Sequence, residues 1–174
     1  MDLRYSRLKI IFPIGLFLAL FLDGSLSNAF AGHLFKYPYS SVLHLVLLWI
    51  VFAIFLDDRG ELPVGLWAAF AGLIFDWYYT GVFGVYLVAL PLVVYISRQI
   101  KPWLDLNFLT MLMVYIINLT IVEAFVYIWY LIGKVITSNL ADFAVYTLGP
   151  TIAVNLALFV ILYYPVRQLY LKVS

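Results

Sequence analysis

Three carboxylic acids, Asp23, Asp76 and Glu123, stand inside apolar stretches of this sequence. A charge within hydrocarbon costs at least about 2.5–3.5 kcal/mol on insertion scales, so such groups are kept to move protons, bind ligands or lock helices together. His44 joins them, as do Thr151 and Asn155, one helical turn apart beside Pro150. Acids and a histidine could in principle exchange protons, but acid–base catalysis also needs a nucleophile, a metal or a substrate anchor. None is legible: there is no HExxH, no GxSxG and no glycine-rich phosphate loop, and His33 and His44 are the only histidines. With no cysteine there is no thiol nucleophile, iron–sulfur cluster or Cys-bound zinc. No lysine lies in mid-span, which excludes a retinal-type Schiff base. No catalytic residue, cofactor or metal site is therefore expected. The acids read instead as a polar layer that pins helix register through hydrogen bonds to Tyr, Thr or freed backbone. On that reading Asp76 and Glu123 should tolerate Asn or Gln, which keep hydrogen bonding, and should not tolerate Leu.

The elements that must position these residues are helices in lipid. Hydrophobic residues make up 66% of the chain and charged ones 11%, far from globular usage. A net charge of +1, without any run of like charge, gives no field for nucleic acid. A span needs about 20 mostly apolar residues. Six stretches qualify, at about Leu8–Ala31, Ser41–Leu56, Leu62–Tyr79, Gly81–Ser97, Leu106–Ile132 and Phe143–Val166, all within one transmembrane domain covering 1–174. Pro13, Pro91 and Pro150 lie within spans and predict kinks. Asp23 directly after the first apolar run, and Pro13 inside it, separate that run from a cleaved signal peptide.

Lysine and arginine set the orientation, because they stay on the cytoplasmic side of short loops. With the N-terminus inside, Arg4, Arg7, Lys9, Arg59, Arg98, Lys101, Arg167 and Lys172 are cytoplasmic, and only Lys36 and Lys134 lie outside. That partition predicts a multi-pass protein of the cell membrane with both ends in the cytoplasm. It also puts Asp23, Asp76, Glu123 and His44 in the outer half of the bundle. On the third span, Gly65 with Ala69 and Ala68 with Gly72 are small-residue pairs that let backbones approach closely; they predict packing within the bundle more than a dimer face. On the fifth, Thr120, Glu123 and Tyr127 share a helix face and Asn118 points elsewhere.

Two stretches carry a family resemblance. Gly72-Leu-Ile-Phe-Asp76, followed by Gly81, Gly84 and Leu90-Pro91, is similar to the G-L-x-x-D and glycine pattern of MreD, the rod shape-determining membrane protein family. The run Tyr146-Thr-Leu-Gly-Pro150-Thr151-Ile-Ala-Val-Asn155, the basic N-terminus and Asp23 resemble MreD of Gram-positive bacteria. The resemblance implies an all-α bundle of six transmembrane helices similar to the S components of energy-coupling-factor transporters. It further implies a non-enzymatic scaffold in cell-wall elongation and peptidoglycan synthesis. Its implied partners are an MreC-like single-pass protein and, indirectly, MreB, RodA and the penicillin-binding-protein synthases. Asp76 and Gly84 match the motif by position and are read as structural or partner-facing. The alternative is an S component that captures a vitamin in the outer polar layer, with Gly15 and Ala19 on the first helix meeting the coupling subunit.

Overall fold

The computed structural model describes residues 3–57, 60 and 62–173, with only the backbone course for 3–7 and 173. Arg59, assigned above to the cytoplasmic side, lies outside the described residues, as do Met1, Asp2 and Ser174 at the ends of the predicted domain. The described chain is helical and holds no strand.

Helix α1 runs Leu3–Ala29, a single turn α2 Ala31–Leu34, and α3 Leu45–Leu56. Helix α4, Val64–Phe75, passes into a π-helical turn at Asp76–Thr80; α5 covers Val85–Ile100 and α6 Phe108–Ile132. A short α7, Leu140–Phe143, continues through a second π turn, Ala144–Leu148, into α8, Gly149–Val173. Among the described residues three helical stretches are long and apolar enough to cross a membrane: Leu8–Ala29, Phe108–Ile132 and Leu140–Lys172. The sixth predicted stretch therefore begins earlier and ends later than its apolar run suggested.

Helix α3 forms the middle of the molecule. All 12 of its residues are buried, and α1, α5, α6 and α8 pack around it. A helix apolar on every side has to sit inside a larger body. Trp49 makes the crossing with α1: its indole N–H donates to the Phe12 carbonyl at 3.0 Å, and its ring fills the space over Gly15, where a Cβ would collide with it. Helices α4 and α5 form the closest antiparallel pair. They meet at Gly72, where a Cβ would strike the Tyr86 carbonyl. Around the outside, Ile10, Ile14, Leu18, Phe70, Leu92, Met113, Ile117, Val160 and Ile161 stand exposed, an apolar belt suited to lipid rather than water.

The second predicted stretch needs a correction. It was read as helical from Ser41, but α3 begins at Leu45, and Ser41–His44 is not helical. The cause lies in the polar residues described next.

Candidate functional site

Any helix leaves its first amide groups without partners, and inside a low-dielectric body each must be satisfied. Asp23, near the end of α1, meets two of them: its Oδ1 accepts from Leu45 N at 2.7 Å and its Oδ2 from Val46 N at 3.0 Å. A carboxylate at a helix N-terminus also complements the macrodipole. The preceding non-helical residues are held by α8. Asn155 Oδ1 accepts from His44 N at 2.9 Å, and Asn155 Nδ2 donates to the Val42 carbonyl at 2.6 Å. Thr151 Oγ1 accepts from Val42 N at 3.2 Å. From α6, the Tyr115 hydroxyl donates to the His44 carbonyl at 3.2 Å and lies 3.1 Å from Asn155 Oδ1. Side chains on three helices thus replace the turn of helix that Ser41–His44 does not make, as non-helical backbone inside a packed, low-dielectric body requires.

The His44 side chain turns the other way. Its Nε2 lies 2.6 Å from Glu123 Oε1, with both residues buried, so a proton lies between imidazole and carboxylate. Glu123 and Tyr127 occupy the buried face of α6, and the Tyr127 hydroxyl donates to the Ser138 carbonyl at 3.0 Å. Thr120 donates back to Ile116 at 2.8 Å. Asn118 projects toward α5, where its Nδ2 meets Ser97 Oγ at 2.7 Å.

The opposite end of α3 has the opposite charge. Lys101 Nζ donates to the carbonyls of Ile54 at 2.9 Å and Asp57 at 2.7 Å, so a cation sits where the last carbonyls of α3 have no helical partner.

Asp76 repeats the Asp23 arrangement on α5. Its Oδ1 accepts from Tyr86 N at 2.8 Å, and its Oδ2 from Gly84 N at 2.9 Å and Leu87 N at 3.1 Å. Gly84 has φ +98, and Gly81, which ends the π turn, has φ +66; both are left-handed conformations that favour glycine. The sequence therefore supplies glycine at the two points where the chain reverses to bring the start of α5 onto Asp76. Asp76 is 1% exposed and the Tyr86 amide is buried with it, while the Gly84 and Leu87 amides are half-buried, so loss of the carboxylate leaves all three poorly served. This alters the expected tolerance of Asn: an amide offers one acceptor oxygen and turns an NH2 toward backbone N–H groups.

Beside the His44–Glu123 pair opens a cavity of about 1140 Å³, lined by Asp23, Glu123, Phe75, Tyr79, Tyr86, Tyr127, Tyr130 and Phe143 among others. It lies between α1, the two π turns and the C-terminal half of α6. Among the described residues no cluster of His, Asp or Glu could hold a metal ion.

The decisive comparison is with protein families. A model of the family "rod shape-determining protein MreD" matches residues 6–173. The chain belongs to the MreD family. MreD proteins are membrane proteins of rod shape determination, so the role of this chain lies in the shape-determining machinery at the membrane. No curated protein and no solved structure matches it.

The polar residues singled out from this MreD sequence fall into two groups. Asp23, Thr151 and Asn155 converge on the start of α3, with Glu123 reaching the same place through His44. Asp76, directly after α4, and Gly84 belong to the start of α5, with Gly72 beneath Tyr86. Pro150 stands two residues past the π turn, inside a helical run continuous from Leu140; it has no amide to give, and the Tyr146 carbonyl one turn earlier accepts from Ser40 N at 2.8 Å. Three residues escaped the sequence reading as site members: Tyr115, Ser97 and Lys101. Tyr115 carries a hydroxyl in mid-span, and Lys101 is a cation beside a span end. Both were visible as types, but neither contact could be found by spacing.

Proposed function

We propose that this chain is a non-enzymatic scaffold of the cell-wall elongation machinery, a single transmembrane domain that binds an MreC-like single-pass partner. Through that partner it acts beside MreB, RodA and the penicillin-binding-protein synthases. The family match over residues 6–173 carries the reading. It is supported by polar side chains that are taken up in holding the chain's own backbone rather than in a catalytic constellation.

Six crossings with both termini cytoplasmic remain our reading of the topology. The distribution of Lys and Arg supports it, and so does the apolar belt. Helix α3 alone, at 12 residues, rises only about 18 Å. The non-helical residues before it lengthen the crossing toward the roughly 30 Å of the hydrocarbon core. A bundle of this kind would resemble a transporter S component in outline. The transport alternative loses some of its footing, because Gly15, weighed as a contact for a coupling subunit, is occupied by Trp49 of the same chain.

For the partner helix, the Gly65 and Ala69 side of α4 is the face we favour. No other atom comes near a Cβ built on Gly65, whereas Gly72 is closed by α5. Helices associate in lipid by close packing at small residues. The test is co-purification in mild detergent with the MreC-like protein: Gly65→Leu should abolish the complex and widen or round the cells while leaving the detergent melting temperature unchanged. A Gly65→Leu protein that still brings the partner down would refute this face. A wild-type protein that never does so would refute the scaffold reading.

A further inference from the structure

The cavity beside α3 has a chemistry that the scaffold role does not use. Its buried wall is Glu123, 3% exposed, and Tyr86, 6% exposed. Glu123 spends Oε1 on His44, while Oε2 accepts no hydrogen bond from the described residues and lines the cavity. The Tyr86 hydroxyl likewise has no protein partner among them, although its ring is fixed by stacking on Phe75 at 5.1 Å. Neither atom is sealed in the packed core, so a solute in the cavity can reach both.

The lining selects the kind of occupant. It contains the carboxyl groups of Asp23 and Glu123, several Ser and Thr hydroxyls and the rings of Phe75, Tyr79, Tyr86, Tyr127, Tyr130 and Phe143, but no lysine or arginine. The nearest base, His44, already shares its Nε2 proton with Glu123. The amides at the start of α3 are spent on Asp23. Phosphate or carboxylate groups would find no cation there, and aromatic faces present negative potential to whatever they enclose. Acceptor oxygens and ring faces around a desolvated space are the surroundings that favour an organic cation. At about 1140 Å³ the cavity is large enough for a small molecule or a lipid headgroup.

We propose that this cavity binds a small organic ammonium group, either on a soluble amine or on a lipid headgroup. The ammonium lies against Glu123 Oε2, the Tyr86 hydroxyl and the ring of Tyr130, and the body of the molecule extends toward the more open side of the cavity.

The experiment uses the full-length protein in nanodiscs of phosphatidylglycerol, titrated calorimetrically with choline and with its uncharged carbon analogue 3,3-dimethylbutan-1-ol. Choline should bind saturably and at least about tenfold more tightly than the alcohol, the size of a desolvated cation–π contact. Glu123→Gln should abolish the preference, because an amide keeps the shape without the charge. Should that change unfold the protein through His44, Tyr130→Leu serves instead: it removes one ring from the rim and should weaken choline about tenfold. Discs containing phosphatidylethanolamine then identify the source. Competition with choline assigns the site to a lipid headgroup, and lack of competition assigns it to a soluble amine. Failure of choline to bind, equal binding of the alcohol, or choline affinity unmoved by Tyr130→Leu would each overturn the proposal. None of these outcomes depends on whether an MreC-like partner is bound.

Discussion

The starts of α3 and α5 face the same problem and solve it differently. Each is a helix N-terminus buried in the protein, and each receives a carboxylate from a neighbouring helix. At α5 a single side chain, Asp76, accepts three amides from residues only 8 to 11 positions further along. At α3 the work is divided among Asp23, Thr151, Asn155 and Tyr115, and two of these partners stand 109 and 111 positions from the backbone they hold. The α5 cap is local and concentrated; it can form as soon as the α4–α5 hairpin does, and it fails all at once. The α3 cap is distributed. Removing one contributor leaves the others in place, but none of it can form before the last helix docks.

Mutations separate the two designs most clearly at Asp76. Asp76→Leu strands three amides, one of them buried and two half-buried, and we expect it to lower stability by about 4 kcal/mol, seen as loss of the folded protein or a large fall in detergent melting temperature. Asp76→Asn should recover only part of this, because one acceptor cannot serve three donors. Asn155→Leu comes next: it leaves His44 N and the Val42 carbonyl unpaired while Asp23 continues to hold Leu45 and Val46. A loss of about 2–3 kcal/mol is expected in the same assay. Smallest is Tyr115→Phe, which removes one hydroxyl from a carbonyl, at about 1 kcal/mol. If Asn155→Leu proved as damaging as Asp76→Leu, the α3 cap would behave as a single unit and the contrast would collapse.

The sequence disclosed the members of both caps except Tyr115, but not their pairing. Asp23, Asp76 and Glu123 stand out because charge in lipid is costly, and Asn155 and Thr151 because polar residues are sparse. The α5 cap was nearly readable: an acid, two glycines and a new apolar run within a dozen residues describe a chain that turns back on its own acid. The α3 cap was not, since nothing in the local sequence of Ser41–His44 breaks a helix. Its amides are drawn away by α8, a tertiary effect that local propensity cannot register. The cavity was hidden for a related reason. It arises where the two π turns displace the helix ends, and π turns have no reliable sequence signature.

The long reach of the α3 cap has a consequence for biogenesis. While the chain is being made, α3 leaves the ribosome with its polar approach, Val42 to His44, unsatisfied, and the residue that satisfies it, Asn155, arrives 111 residues later. Until then the segment is a poor membrane span on its own account, too short in its helix and uncapped at its start. On the six-crossing reading proposed above, its stable entry into the bilayer is an event of late synthesis, completed when α8 closes against it. Nascent chains stopped before residue 151 should remain exposed to the membrane's quality-control proteases, whatever the apolarity of the helices already inserted.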